Sequence, residues 1–254
     1  MTVVAVIPAR IDSQRLYGKM LLAESGLPLI WYAWNAANQA QEIDRVLIAT
    51  DSERIRDTAE EFGAEVIETG RHVCGSDRCA DAVEQIGGAD IVINIQGDEP
   101  EIQPQHLDIL ARTMQDRPEA DMATLMTHFN NWGDVLKKDN VKVVAASDGS
   151  AMYFSRSLVP HTARVGVHDV RDSPCRLHVG VYAFRGDYLN TYRSLQDTPV
   201  SACEELEQLR ALCGGARIVC VEVDSSAVGI DTREDYLKFV LRIGGDGSRL
   251  SNKE

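Results

Sequence analysis

The most constraining feature of the chain is Ile91-Val92-Ile93-Asn94-Ile95, a short run apolar on both faces that leads directly into Gln96-Gly97-Asp98-Glu99-Pro100. A strand buried on both faces belongs in a parallel sheet with helices packed on either side, and the loop at its carboxyl end is where such sheets bind ligands. The same pattern recurs along the chain as a βαβα rhythm: strand Val3 to Ile7, helix Ile30 to Ala40, strand Val46 to Ala49, helix Glu53 to Phe62. A short strand at Glu65 to Ile67, a helix at Asp77 to Ile86, the strand Ile91 to Ile95 and a helix at Pro104 to Met114 continue it. The fold class predicted is α/β, with a mostly parallel central sheet.

After Met122 to Met126 the rhythm changes. β-prone runs at Val141 to Ala146, Met152 to Phe154 and His178 to Phe184 crowd together and read as a β-rich insertion. The polar stretch His161 to Arg176 reads as a surface loop or as a flap near a ligand. A helix at Ala202 to Leu212 ended by Gly214-Gly215, a strand at Ile218 to Val223 and a helix at Arg233 to Ile243 close the chain, with a frayed tail of about ten residues. Leu206, Leu209 and Leu212 recur at helical spacing and read as packing. With no linker or internal repeat, the 254 residues are expected to form one domain, with 1–125 and 200–244 as its core and about 126–199 as the insertion.

The net charge of −13 excludes a general binder of nucleic acid or anionic membrane, which would need a basic face. No apolar run approaches the ~18 residues of a membrane span, and the apolar start Thr2 to Pro8 is too short for a signal peptide. Six cysteines show neither a CxxC pair nor a zinc spacing, and read as reduced, mostly buried thiols of a cytoplasmic protein.

Against that acidic background, Arg10, Arg15 and Lys19 follow the first buried strand within ten residues. Cations there suit a clamp on a polyphosphate, although the loop is neither a Walker loop nor a GxGxxG fingerprint. Asp98 and Glu99 offer hard oxygen ligands just beyond another strand. Magnesium binds through one or two carboxylates plus substrate phosphates, and Asp98 is the preferred ligand. Asp231, in Gly229-Ile230-Asp231-Thr232, is a further candidate, although Asp or Thr before a helix is also an ordinary cap.

These segments, with Ala49-Thr50-Asp51, Gly75-Ser76-Asp77-Arg78, Val141 to Val144, Tyr153 to Arg156, His178 to Tyr182 and Leu206 to Arg210, make the chain resemble the 3-deoxy-manno-octulosonate (Kdo) cytidylyltransferases over almost its whole length. The resemblance implies a nucleotide-diphospho-sugar transferase-like core and a β-rich segment for substrate and homodimer contacts. It also implies attack of a hydroxyl of a sugar acid on the α-phosphorus of CTP, with pyrophosphate leaving. By that resemblance Arg10, Ser13, Arg15 and Lys19 hold the triphosphate, Gly75, Ser76 and Arg78 lie near the nucleoside, and Asp98 and Asp231 hold Mg2+. Gln96, Arg156, His178, Tyr182, Glu207 and Gln208 shape the acceptor pocket. His178 is also an alternative base, and Arg156 suits the acceptor's carboxylate.

Some positions depart from the relatives' pattern: Tyr17 and Met20 stand where they have proline, Ser76 where they have threonine, and His161-Thr162-Ala163-Arg164 replaces an aromatic-rich stretch. None of these touches the expected metal residues. They bear on the acceptor, leaving open another small acid, such as phosphonoformate or an amino variant of Kdo. A silent nucleotide-sugar-binding paralogue is the third alternative, disfavoured by the retained set of cations and carboxylates.

Overall fold

In a computed structural model of the chain, residues 1–12, 15–72, 74–161, 169–225 and 229–244 are described. Along the sequence run β1 (Val3–Ala9), α1 (Leu29–Gln39), β2 (Arg45–Thr50), α2 (Glu53–Glu61), β3 (Glu65–Glu68), α3 (Gly75–Gln85), β4 (Ile91–Asn94), α4 (Pro104–Asp116) and β5 (Met122–Thr127). They are followed by α5 (Trp132–Leu136), β6 (Lys142–Ala145), β7 (Ala151–Ser155), β8 (Arg176–Arg185), α6 (Gly186–Ser194), α7 (Pro199–Glu204), α8 (Gln208–Cys213), β9 (Ile218–Glu222) and α9 (Arg233–Arg242). The contacts divide into two compact units: Thr2–Asp108 with Ala227–Glu254, and Ile109–Ser226. The inserted segment therefore takes β5, β9 and most of α4 with it, beyond the expected limits of 126 and 199.

The first unit is the βαβα rhythm made solid. β1 pairs in parallel with β2 (Val6 opposite Leu47) and with β4 (Val6 opposite Asn94), and β2 pairs in parallel with β3 (Ile48 opposite Val66). The order β3-β2-β1-β4 puts β1 and β2 in the interior, which is why their residues are buried almost throughout. Leu29 of α1 packs with Ile230, Tyr236, Phe239 and Val240, and Leu16, Leu22 and Tyr32 lie against that cluster. This packing carries the start of α9 to the loop after β1. Thr232 caps α9: its Oγ1 accepts from the Asp235 amide at 3.1 Å while the Asp235 carboxylate accepts from the Thr232 amide at 2.9 Å. Thr232 takes the capping work, leaving the Asp231 side chain for other partners.

In the second unit β5 pairs in parallel with β9 and antiparallel with β8, and β6 pairs antiparallel with both β7 and β8. The β5–β8 register shifts between Thr124 and Leu125, a bulge that uses Gly180 and Val181 and re-aims the residues around it. Phe129, Val135, Val170 and Cys175 form a satellite core beneath α5. The single helix expected over Ala202 to Leu212 is instead two short ones. Glu205 adopts a left-handed conformation (φ 52°), which ends α7 and lets α8 begin again at Gln208. The helices α5 and α6 were not expected from the sequence. Cys79, Cys175 and Cys220 are buried, but Cys203 and Cys213 are exposed, against the expectation of mostly buried thiols.

Candidate active site

Every strand of the first unit delivers its chemistry at its carboxyl end. After β1 the chain turns through Gly18, whose left-handed backbone (φ 65°) lets its amide reach back to the Ile11 carbonyl at 3.0 Å. That turn presents Lys19. Beyond β4, a side chain at Gly97 would place its Cβ 3.0 Å from Met20 Sδ and 3.3 Å from Ile7 Cγ2, so glycine is what allows the next residue, Asp98, to come in so close. Lys19 Nζ pairs with Asp98, donates to the Ile230 carbonyl at 2.9 Å and lies 3.5 Å from Asp231 Oδ1. The Ile230 amide in turn donates to the Asp98 carbonyl at 2.9 Å. Arg15 Nη1 completes the group, 3.1 Å from Asp231 Oδ2.

Asp98 and Glu99 part company here. Burial, with the charge of Asp98 adding to it, pushes the Glu99 carboxyl up to about 8, and its buried Oε2 has no hydrogen-bond partner. Asp98, not Glu99, is the carboxylate of the two that meets Lys19. Among the described residues no cluster of three or more His, Cys, Asp or Glu forms a ready-made metal cage. A pair of aspartates fits magnesium, which binds through one or two carboxylates and fills the rest of its shell with waters and substrate oxygens.

A cavity of about 580 Å3 in the same unit is lined by Arg10, Ile11, Asp12, Asp51, Ser52, Gly70, Arg71, His72 and Arg78. Arg78 is nearly buried, its Nη1 on Thr69 Oγ1 at 2.6 Å and its Nη2 on Asp51 at 3.1 Å. A Cβ at Gly75 would sit 3.2 Å from Pro8 Cγ, so this glycine seats the start of α3 against β1. Ser76 Oγ accepts from Asn94 Nδ2 at 3.2 Å. Gln96 is half-buried beyond β4, and Ser13 lies outside the described residues. Sequence reasoning did not assign roles to Thr69, Arg71 and His72. Each lies at the end of β3 or in the loop after it, the topological position that carried the other assignments.

The remaining residues belong to the second unit. His178 sits between Phe154 (centroids 5.1 Å apart) and Tyr182 (5.5 Å). Its Nε2 is 2.9 Å from Thr124 Oγ1, and that hydroxyl lies 2.8 Å from the Val181 carbonyl. The single hydroxyl proton goes to the carbonyl, so Nε2–H donates to Thr124 and Nδ1 is left as the accepting nitrogen. Burial pushes the His178 ring down to about 3. A neutral ring of such low basicity is suited to accepting a hydrogen bond, and poorly suited to taking a proton.

The unfolded ring binds a proton near its ordinary value of about 6.5 and the folded ring resists it, so stability falls as pH drops below 6.5 towards 3. Between pH 7 and pH 5 the wild type should lose roughly 2 kcal/mol relative to His178→Gln, read by urea unfolding. A gap between the two proteins that stays constant with pH would refute the buried neutral ring.

Arg156 is engaged with backbone: Nε donates to the Glu204 carbonyl at 2.8 Å, and Nη1 and Nη2 reach Lys138 and Glu205 carbonyls at 3.3 Å each. Three of its five N–H groups are used in this way, and two remain to meet a carboxylate. Glu207 accepts from the Tyr192 hydroxyl at 3.2 Å. Gln208 is 2% exposed, and its buried Nε2 finds no hydrogen-bond partner. A buried amide left orphaned is open to completion by a ligand or an ordered water.

A cytidylyltransferase family model matches residues 4–218. The 3-deoxy-manno-octulosonate cytidylyltransferase of Syntrophotalea carbinolica is 38% identical over 96% of this chain and all of its own length. The mitochondrial enzyme of that name from Arabidopsis thaliana is 39% identical over 93% of this chain and 81% of its own. The solved structure of CMP:2-keto-3-deoxy-manno-octonic acid synthetase complexed with CTP superposes with a TM-score of 0.89 at 35% identity, covering 96% of this chain and 98% of that one. On these grounds the chain belongs to the 3-deoxy-manno-octulosonate cytidylyltransferase family.

Proposed function

We propose that the protein transfers CMP from CTP to 3-deoxy-manno-octulosonate, giving CMP-Kdo and pyrophosphate. The observation that carries this reading is the convergence of Lys19, Asp98, Asp231 and Arg15 on one spot beyond β1 and β4, in a chain so similar to that family. Phosphoryl-type transfer asks a protein chiefly for positioning and for neutralisation of charge, and this is a constellation of that kind.

Lys19, Arg15 and Arg10, with Ser13, hold the triphosphate. Gly75, Ser76 and Arg78 receive the nucleoside, with Asp51 and Thr69 fixing the Arg78 fork. Asp98 and Asp231 hold magnesium, which when bound supplies charge neutralisation at the phosphates and makes an attacking hydroxyl more acidic. For the acceptor we assign Gln96, Arg156, His178, Tyr182, Glu207 and Gln208. The orphaned Gln208 amide and the accepting Nδ1 of His178 offer a hydroxylated acid one donor and one acceptor. No helix among the described residues is long and apolar enough to cross a membrane. We assign the protein to the cytoplasm as a homodimer, with no nucleic-acid or membrane partner.

Tyr17 favours a second reading, in which the acceptor is another small acid. The residue is 65% exposed, two positions before Lys19, where the family pattern has proline. Pyrophosphate release with CTP and Mg2+ distinguishes the two. Kdo-dependent release is expected. Release only with phosphonoformate or an amino variant of Kdo would keep the transferase and change its substrate, and release with none of these acids would sink the reading.

A further inference from the structure

The charges around the carboxylate pair form one closed group. Lys19 Nζ serves Asp98, Asp231 and the Ile230 carbonyl together, and Arg15 lies on the other oxygen of Asp231. Two carboxylates thus face two cations, and the formal charges cancel. The Lys19 side chain is only 8% exposed, so water does little to screen its ammonium. Arg15 is 67% exposed and its partner Asp231 46%, so that pair is held loosely and exchanges readily. A divalent cation arriving alone would have to displace Lys19 or sit against its charge. A polyphosphate offers both cations an alternative anion.

We propose that Lys19 and Arg15 are exchangeable counter-ions, which close the Asp98–Asp231 pair to a divalent cation until a polyphosphate draws them onto itself. This rests on the reading of the aspartates as metal ligands. Two features make the exchange feasible. Lys19 stands in a single 3-10 turn, Lys19–Leu21, immediately after the left-handed Gly18, so its side chain can swing while the backbone stays in place. The Ile230–Asp98 backbone bond, at 2.9 Å, keeps the two aspartate loops clipped together when the ammonium leaves. Cation and polyphosphate then bind with positive coupling, and the coupling is reciprocal: each raises the affinity of the other by the same factor. The device favours the metal–nucleotide complex over either component alone.

The test is Mn2+ binding to the chain without nucleotide, read from loss of the free-ion electron paramagnetic resonance signal. Arg15→Ala should tighten binding about threefold, and Lys19→Met about tenfold or more, because the less exposed cation opposes the ion more strongly. Arg15 is exposed, so its variant stays informative if Lys19→Met folds poorly, which a thermal melt reports. Unchanged Mn2+ affinity in a folded Lys19→Met and in Arg15→Ala overturns the proposal. The reading of the aspartates as ligands is checked separately by adding Asp98→Asn to Arg15→Ala. Loss of the gained binding supports both statements, whereas gained binding that survives places the ion elsewhere and sinks the ligand assignment.

Discussion

Asp98→Asn should lower turnover with CTP about a thousandfold or more while the protein melts within a few degrees of the wild type. The rate loss corresponds to roughly 4 kcal/mol of charge stabilisation, the order expected when a metal site loses one of its two carboxylates. Asparagine keeps the volume of the side chain, and its amide oxygen still accepts from Lys19 Nζ. That ammonium also retains the Ile230 carbonyl at 2.9 Å and Asp231 at 3.5 Å, so no charge is left stranded. The effect should therefore fall on chemistry rather than on folding. Pyrophosphate release across a range of Mg2+ concentrations is the measurement. Near-normal turnover at saturating Mg2+ would refute the assignment of Asp98, whereas a large drop in melting temperature would mean that the Lys19–Asp98 pair is structural first.

Much of this site was readable because each of its parts follows a buried strand. Val3 to Ile7 and Ile91 to Ile95 are apolar on both faces, so their strands and the loops after them were fixed by burial alone, and Lys19 and Asp98 came with the loops. Asp231 was ambiguous because an acidic residue before a helix so often caps it. Only the Thr232–Asp235 capping box shows that the cap is elsewhere. Three features had no local signal. The break at Glu205 depends on a non-glycine residue adopting φ 52°, which no sequence pattern marks. The Asp51–Arg78–Thr69 group joins the loops after β2 and β3 to a side chain of α3. Arg156 was expected to face a carboxylate, but its forked head also braces carbonyls of residues 138, 204 and 205, contacts that only the packed chain brings together.

That brace leads to the second large effect, at Glu204, a residue to which the sequence assigned no role. Its Oε1 accepts from the Ser155 hydroxyl at 2.7 Å and the Tyr153 hydroxyl at 3.2 Å, and its Oε2 from the Arg156 amide at 2.8 Å. Burial works to raise its pKa. The Ser155, Arg156 amide and Tyr153 hydrogen bonds, with the Arg156 charge, outweigh burial and hold the carboxyl below its ordinary range. Lys142 fixes the same segment from another side, its buried ammonium donating to the Arg156 carbonyl at 2.6 Å and the Lys137 carbonyl at 2.7 Å. Glu204→Ala leaves two hydroxyls and one amide without their acceptor, at a cost of roughly 3 kcal/mol or more in urea unfolding. Glu204→Gln keeps one acceptor oxygen and should cost about half as much, because its NH2 must face one of the former donors. A carboxyl held below its ordinary value stabilises the fold above that value and loses the contribution as pH falls through the folded one. The gap between wild type and Glu204→Ala should accordingly narrow once the pH drops below about 4. A loss under about 1 kcal/mol in Glu204→Ala, or a gap indifferent to acid, would mean that the α7–α8 turn is held by its apolar contacts alone, and that Arg156 does not depend on Glu204 for its place.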